Sequence, residues 1–473
     1  MRFAPSPTGF LHVGGLRTAL FNYLFAAKSN GKAILRVEDT DQNRKVEGAV
    51  ENLVESLKWS GVQFDEGAEI GGDYGPYIQS QRLAIYQKHA NQLVREGKAY
   101  FCFCSADELS KIREDQLEKK LARPYDGRCQ FLPEAEIQKR MDQNLPFVIR
   151  MKIPQDFEAF HVSDLIRGDV KFKTFQIDDQ ILIKSDGFPT YHLANVVDDY
   201  HMKITHVIRG EEWLPSTPKH IQLYEYFGWP IPQFAHLPLL LNPDKSKLSK
   251  RQGDVATDDY RKKGYLPEAL INFVALLGWN TQDEQEIFSM PELKEKFSLD
   301  RVGKAGAVFD VNKLKWMNQQ YIKEKTPEEL YELVQPFLPD IAKTLNQPTL
   351  TRILNIVKDG MVLLTDIEQK LDLFCNENPT LTDTTLIEFS KTEDAQKVYK
   401  ALHNQLEQTD ELSSENFGSL MKAVQKETGI KGKGLWGSVR VAITLVEHGP
   451  DLGAVVDIFG KAKCLKMIQN VIQ

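Results

Sequence analysis

The sequence predicts an α/β chain: a parallel-sheet domain interrupted by an insertion, followed by a helical C-terminal third. Three observations carry that prediction. The first hundred residues alternate short β-rich runs with helical periodicity, the order that builds a parallel sheet with crossover helices. Between about residues 77 and 191 the texture changes, with a charged helical stretch, three cysteines and separate β-rich runs, after which strand-like and apolar segments resume. From about residue 326 the pattern is mostly helical, with acids and bases mixed along the faces.

The elements follow in order. Residues 1–4 form a short strand stopped by Pro5, and the turn over 5–9 leads into a helix over 15–28. That helix carries Leu16, Leu20, Tyr23, Leu24 and Ala27 on one face and closes at Gly31. A second strand over 33–37 runs into Glu38-Asp39-Thr40-Asp41, and a second helix over 47–60 ends at Gly61. This is a βαβ start. Inside the insertion the pattern predicts a helix over 106–121 and strands over 147–153 and 180–184. A strand over 206–210 and an apolar run over 234–241 resume the sheet, ahead of a Lys-rich loop over 243–253. Thr326-Pro327-Glu328-Glu329 has the form of a helix start, with threonine as cap and proline at the first helical position.

Composition bounds the function. The chain has 473 residues, room for about three domains, and 42% hydrophobic residues are enough for buried cores, which excludes disordered and fibrous classes. Mean hydropathy is −0.38, and the most apolar runs, 237–241 and 271–277, are far short of the ~20 residues that span a bilayer; no membrane partner is expected. Five cysteines in this length make no disulfide framework, and no apolar leader precedes Arg2, so a reducing cytoplasm is expected. The net charge of −7 argues against wholesale binding to nucleic acid.

Two segments carry the chemistry. Pro5-Ser6-Pro7-Thr8-Gly9-Phe10-Leu11-His12-Val13-Gly14-Gly15 occupies a strand-to-helix turn, where an α/β sheet places its ligands. Amide groups at the helix start favour phosphate, Gly14 and Gly15 admit a nucleobase or phosphate close to the backbone, and His12 can donate to a phosphate oxygen. Alone, the segment also fits a plain glycine-rich helix entry. In Asp244-Lys245-Ser246-Lys247-Leu248-Ser249-Lys250-Arg251-Gln252-Gly253, four cations sit among small hydroxyl residues, which suits a loop closing on a polyphosphate. Alone, it also fits an ordinary solvated basic loop.

Together the two segments resemble the signatures of class I aminoacyl-tRNA synthetases. The first appears as His12-Val13-Gly14-Gly15, and the second, 235 residues later, as Lys247-Leu248-Ser249-Lys250-Arg251. Arg2-Phe3-Ala4-Pro5-Ser6-Pro7-Thr8-Gly9, Arg36-Val37-Glu38-Asp39-Thr40-Asp41, Ser185-Asp186-Gly187-Phe188-Pro189-Thr190-Tyr191-His192-Leu193-Ala194-Asn195 and Val207-Ile208-Arg209-Gly210-Glu211-Glu212-Trp213 resemble the glutamyl-tRNA synthetase family. The resemblance runs from Met1 to about Ile322 and returns in Gly429-Ile430-Lys431-Gly432-Lys433-Gly434. Gly15 stands where many class I enzymes carry a second histidine, which leaves that role to His12, helped by Thr8.

The resemblance implies a Rossmann-type catalytic domain split over 1–77 and 192–240, an inserted α+β acceptor-binding domain over 78–191, a stem-contact region with the KLSKR loop over 241–325, and an all-α anticodon-binding region over 326–473. It implies attachment of L-glutamate to tRNA(Glu) through glutamyl-adenylate, with ATP and Mg²⁺, and a monomer is expected. His12, Thr8, Lys247 and Lys250 are the expected catalytic residues, and His12, Gly14, Gly15, Lys247, Lys250 and Arg251 the ATP-binding ones. Glutamate has two carboxylates and one ammonium, so its pocket needs cations and an acid. Arg2 and Arg209 are the candidates for the carboxylates and Glu38 for the ammonium; Ser6, Tyr191 and Asn195 match family positions that complete the pocket. Arg209 is expected to tell acid from amide, because the matching position of glutaminyl enzymes is not arginine. The bland alternatives are a surface ion pair of Arg209 with Glu211 or Glu212 and a strand-end salt bridge for Glu38.

Cys102-Phe103-Cys104 and Tyr125-Asp126-Gly127-Arg128-Cys129 supply three soft ligands. They resemble a Cys-x-Cys…Tyr-x-x-x-Cys zinc site of some family members, so Cys102, Cys104, Tyr125 and Cys129 are expected to hold a structural Zn²⁺, the alternative being three reduced thiols. Cys375 and Cys464 are expected in cores. For RNA, Lys431, Lys433, Trp436 and Arg440 combine cations with an aromatic, which suits a phosphate backbone and an unstacked base. The rival readings are a glutaminyl-tRNA synthetase, which Arg209 and the helical C-terminal third oppose, and a catalytically silent tRNA-binding paralogue, which His12, Lys247 and Lys250 oppose.

Overall fold

The computed structural model describes residues 1–120, 125–248, 256–376 and 379–472. The chain divides into two compact units: Met1–Tyr260 with Leu270–Asp310, and Arg261–Ala269 with Val311–Gln473.

The first unit opens with β1 (Arg2–Phe3), α1 (Val13–Lys28), β2 (Ile34–Leu35), α2 (Ala49–Trp59) and β3 (Glu66–Gly67). The strands are parallel in the order β1-β2-β3, with Arg2 opposite Ile34 and Ile34 opposite Glu66. Leu16, Leu20 and Leu24 of α1 are fully buried, as their spacing predicts. The helix starts two residues before its periodicity suggests, because His12 caps it: the His12 backbone is extended and its Nδ1 accepts the Gly15 N–H at 3.1 Å. Cap preference favours Ser, Thr, Asp or Asn, so a histidine cap gives no signal in sequence.

Next come α3 (Leu83–Arg95), β4 (Ala99–Cys102), α4 (Ala106–Glu118), α5 (Glu134–Asp142), β5 (Val148–Met151), β6 (Ala159–Asp164), β7 (Gly168–Lys173) and β8 (Ile181–Ile183). β4, β5 and β8 form an antiparallel sheet. After α6 (Tyr191–His201), β9 (His206–Gly210), α7 (Thr217–Phe227) and β10 (Gln233–Leu237), a third sheet is complete in the order β7-β6-β10-β9. The β6–β7 hairpin lies inside the 78–191 segment, yet β6 runs parallel to β10 and β10 parallel to β9, with His236 opposite Arg209. The apolar run over 234–241 is two strands: β10 ends at Leu237, before Pro238, which has no N–H to give a ladder, and β11 (Leu240–Leu241) follows. One core joins α3, α6 and α7 to the strands through Tyr86, Leu93, Met151, Leu182, Leu193, Val197 and Leu223.

The chain continues through α8 (Thr257–Lys262), α9 (Pro267–Ala275), α10 (Met290–Lys296) and β12 (Ala307–Val308), which pairs parallel with β11. The second unit then adds α11 (Val311–Glu324), α12 (Pro327–Val334), α13 (Gln347–Val357), α14 (Ile367–Cys375), α15 (Thr384–Ser390), α16 (Glu393–Glu407), α17 (Ser414–Thr428), α18 (Gly432–Thr444) and α19 (Leu452–Gln469). Thr326 caps α12 as its sequence predicts, its hydroxyl accepting the Glu329 N–H while the Glu329 carboxylate accepts the Thr326 N–H. Val398, Leu402, Val424, Val439, Val455 and Cys464 build the core of α16–α19, whereas Cys375 is only half-buried. Among the described residues no helix is long and apolar enough to cross a membrane.

Candidate active site

A cavity of about 560 Å³ opens in the first unit beyond the ends of β1, β2, β9 and β10, where parallel sheets place ligands. It is lined by Arg2, Ser6, Thr8, His12, Gly14, Gly15, Glu38, Tyr191, Arg209 and Lys247, so ten of the residues singled out in the sequence meet at one place. Asn195, one turn beyond Tyr191 on α6, is buried but is not among the lining residues; its side-chain nitrogen lies 3.5 Å from His220 Nε2. Lys250 and Arg251 lie outside the described residues.

Arg2 and Glu38, on one wall, belong to a buried ion network. Arg2 Nε donates to Asp199 at 3.0 Å, Arg36 donates to Asp199 at 2.8 Å and to Glu38 at 3.0 Å, and Arg82 donates to Asp198 at 2.7 Å. Three guanidiniums face three carboxylates, and all six residues are buried. Burial opposes charge on Asp199, but Arg2 and Arg36 outweigh it and hold the carboxyl below its ordinary value. At Glu38 burial prevails over Arg36 and Arg2, and its pKa is raised. The strand-end salt bridge foreseen for Glu38 therefore exists, through Arg36, while the residue still faces the cavity.

Arg209 is a different case. Its Nε donates to His236 Nε2 at 3.1 Å, Nη1 to the Tyr191 hydroxyl at 3.0 Å, and Nη2 to Thr217 Oγ1 at 3.0 Å and the Trp213 carbonyl at 3.4 Å. Both Nη atoms lie 3.3 Å from His220 Nδ1. Every one of these partners is neutral. The surface ion pair with Glu211 or Glu212 does not form: Arg209 is buried, and Glu211 pairs instead with Arg167 at 2.7 Å. The Trp213 ring packs 4.2 Å from that of Tyr191, covering this end of the cavity.

The opposite wall is the start of α1. His12 Nδ1 accepts from Gly15, so in a neutral ring the proton sits on Nε2. The glycines have a local reason: a Cβ on Gly14 would stand 3.1 Å from the His12 ring, and one on Gly15 would stand 2.9 Å from Leu11 Cδ1. Lys247 is set by the turn before it, in which Asn242 N–H donates to the Ser246 carbonyl at 2.8 Å, Lys245 takes a φ of 66°, and Lys247 bridges back to Leu241. Lys247 and Leu248 line the cavity, and further along the chain Ala256 bridges His12 and the Thr257 N–H donates to the Leu11 carbonyl at 2.8 Å.

Elsewhere in the first unit the Sγ atoms of Cys102, Cys104 and Cys129 lie within 4.8 Å of one another, and those of Cys104 and Cys129 are 3.5 Å apart. The Tyr125 hydroxyl lies 3.4 Å from Cys102 Sγ and 3.9 Å from Cys104 Sγ, so four donors converge on a space of tetrahedral size. This cluster could hold a metal. In the second unit Lys431, Lys433 and Trp436 are exposed on the first turns of α18, while Arg440 is half-buried and donates to the Pro450 carbonyl at 2.8 Å.

Sequence reading missed Asp199, Trp213, Thr217, His220 and His236. The pair Asp198-Asp199 had a signal, since two acids inside an apolar helical stretch demand buried cations. The histidines had none, because their partners are far away in sequence.

Fold and cavity together define a class I aminoacyl-tRNA synthetase. Residues 1–316 match the family model "tRNA synthetases class I (E and Q), catalytic domain", and residues 329–472 match "Anticodon binding domain". The glutamate–tRNA ligase of Clostridioides difficile is 47% identical, the match covering all of this chain and 98% of that one. The ligase of Alkaliphilus metalliredigens is 48% identical over all of this chain and 98% of its own. A crystal structure of a glutamate tRNA ligase from Elizabethkingia meningosepticum, in complex with its amino acid, superposes with a TM-score of 0.90 at 37% identity over 99% of this chain and 98% of that one. The chain belongs to the glutamyl-tRNA synthetase family.

Proposed function

We propose that the chain attaches L-glutamate to tRNA(Glu) in two steps at the cavity described above. The α-carboxylate of glutamate attacks the α-phosphorus of ATP, giving glutamyl-adenylate and pyrophosphate; a hydroxyl of the terminal tRNA ribose then takes the glutamyl group and releases AMP. No protein nucleophile is needed. The work is positioning and charge stabilisation.

The observation that carries this reading is Arg209, a buried guanidinium at the cavity whose partners are all neutral. A substrate carboxylate supplies the missing counter-charge, and a neutral amide does not. The α-carboxylate has to stay available to attack, so Arg209 takes the side-chain carboxylate, with the Tyr191 hydroxyl beside it. Glu38 faces the ammonium, and Arg2, held by Asp199, adds positive charge near the α-carboxylate. ATP enters with Mg²⁺, its phosphates toward the α1 N-terminus, where Thr8, the His12 Nε2–H and the backbone beside Gly14 and Gly15 receive them together with Lys247. Lys250 and Arg251 are assigned to the same polyphosphate. Ser6 lines the amino-acid end, and Asn195 acts from behind it.

The donor set of Cys102, Cys104, Tyr125 and Cys129 fits a Zn²⁺ ion, which would brace the inserted β4-β5-β8 sheet and take no part in the reaction. Lys431, Lys433 and Trp436 offer an exposed cationic and aromatic surface to the tRNA, with Arg440 behind them. The five unpaired cysteines accord with a reducing cytoplasm.

Charging assays with tRNA(Glu), ATP and either amino acid test the reading. Glutamate is charged and glutamine is not; absence of ATP–pyrophosphate exchange even with cognate tRNA would overturn it.

A further inference from the structure

Behind Arg209 stands a second layer of side chains that does not line the cavity. Asp164, His236 and Arg209 lie on three neighbouring strands, β6, β10 and β9, and connect across the sheet: Asp164 Oδ2 is 2.6 Å from His236 Nδ1, and His236 Nε2 is 3.1 Å from Arg209 Nε. Asp164 and His236 have no exposed side-chain surface.

The proton positions follow from the arginine. Arg209 Nε carries a hydrogen under all conditions, so His236 Nε2 must accept, and the imidazole proton must sit on Nδ1 and point at Asp164. From the far side His220 Nδ1 also accepts from Arg209, which places its proton on Nε2, 3.0 Å from His192 Nδ1. Both histidines must be neutral and must hold one tautomer, or a donor meets a donor. We infer that Asp164, through the His236 tautomer, is a positioning residue that aims the Arg209 guanidinium and so sets selection for a carboxylate substrate. The inference rests on the reading of Arg209 as the partner of the side-chain carboxylate. Burial followed by the nearby Arg209 keeps His220 well below its ordinary pKa, and at His236 burial outweighs the bond from Asp164, so both rings are neutral near pH 7.

Asp164→Asn tests the tautomer directly. Asp164 Oδ1 accepts three backbone N–H groups, from Ile166, Arg167 and His236, and this pins the amide oxygen of the variant in that place. Its NH₂ then faces His236 Nδ1, the proton shifts to Nε2, and Nε2–H meets Arg209 Nε–H. In aminoacylation assays Asp164→Asn raises KM for glutamate by about tenfold or more, with kcat and KM for ATP within about twofold. His236→Gln can present its amide oxygen to Arg209 without any tautomer, so the double variant Asp164→Asn/His236→Gln returns KM for glutamate to within about threefold of His236→Gln alone. A merely structural role for Asp164 gives no such rescue.

Arg209→Ala serves as the reference. If it raises KM for glutamate while Asp164→Asn does not, or if the double variant is no better than Asp164→Asn, the inference is overturned and the pocket assignment stands. If Arg209→Ala leaves KM for glutamate unchanged, the pocket assignment falls and the inference falls with it.

Discussion

At the residue scale, substrate choice reduces to one imbalance. The network of Arg2, Arg36 and Arg82 with Glu38, Asp198 and Asp199 is internally neutral, while Arg209 is left with neutral partners at a cavity wall. Arg209→Ala should therefore lower kcat/KM for glutamate by about 100-fold or more, since losing one partner of a buried charge pair costs more than ~2 kcal/mol. Steady-state aminoacylation measures this, and an unchanged value would remove Arg209 from the pocket. Arg2, Glu38 and Arg209 were legible because substrate chemistry demands their charges and family motifs carry them. Asp199 had a signal that named no partner, and His220 and His236 were not legible. A buried arginine announces that it needs partners without saying which, and those partners arrive from other strands and helices through the fold.

At the element scale, four donors converge beside the β4-β5-β8 sheet: Cys102 at the end of β4, Cys104 two residues beyond it, and Tyr125 and Cys129 around the turn before Gln130. Purified protein should carry close to one equivalent of zinc, and Cys104→Ser should lose it and lower the unfolding midpoint of this segment, because a structural site contributes folding free energy. Metal analysis finding less than about half an equivalent would reject the site. The same scale shows what sequence pattern can and cannot deliver. Helices with a leucine face or a Thr-Pro-Glu-Glu start were readable within a few residues, since spacing and capping are local. The division of 234–241 at Pro238 was available from proline chemistry and went unread. The pairing of β6 with β10 was not available at all, because it joins residues 70 positions apart and no local pattern encodes a partner strand.

At the scale of the whole molecule, charge is unevenly distributed. A net charge of −7 coexists with the cation-rich segments 245–251 and 431–440, so RNA affinity should be local and only modestly salt-dependent. Lys431→Glu with Lys433→Glu should weaken tRNA binding by about tenfold and leave KM for ATP unchanged; a filter-binding titration across salt concentrations measures both the loss and the slope. Histidine burial acts on stability in another way. His89, His192, His201, His206, His220 and His236 all belong to the first unit, and burial pushes each below its ordinary value, His192 to about 4. His89 and His201 bring their Nε2 atoms within 3.0 Å, where the two rings share a single proton. Above about pH 6.5 these rings are neutral in both folded and unfolded chains, and their full contribution to stability is present. Below it the unfolded chain takes up protons that the folded chain refuses, so stability falls as pH falls, by up to about 1.4 kcal/mol per pH unit for each such ring. For His192 the loss is complete once pH has dropped through about 4. The depressed carboxyls of Asp164 and Asp199 act only at still lower pH, below the ordinary aspartate value, and do not offset this. The unfolding midpoint of the first unit should therefore drop steadily between about pH 7 and pH 5, with an uptake of more than about one proton per molecule on unfolding near pH 5.5. Calorimetry in buffers of different ionisation enthalpy measures that uptake, and a midpoint that stays level over the interval would show that these histidines are not held neutral by the fold.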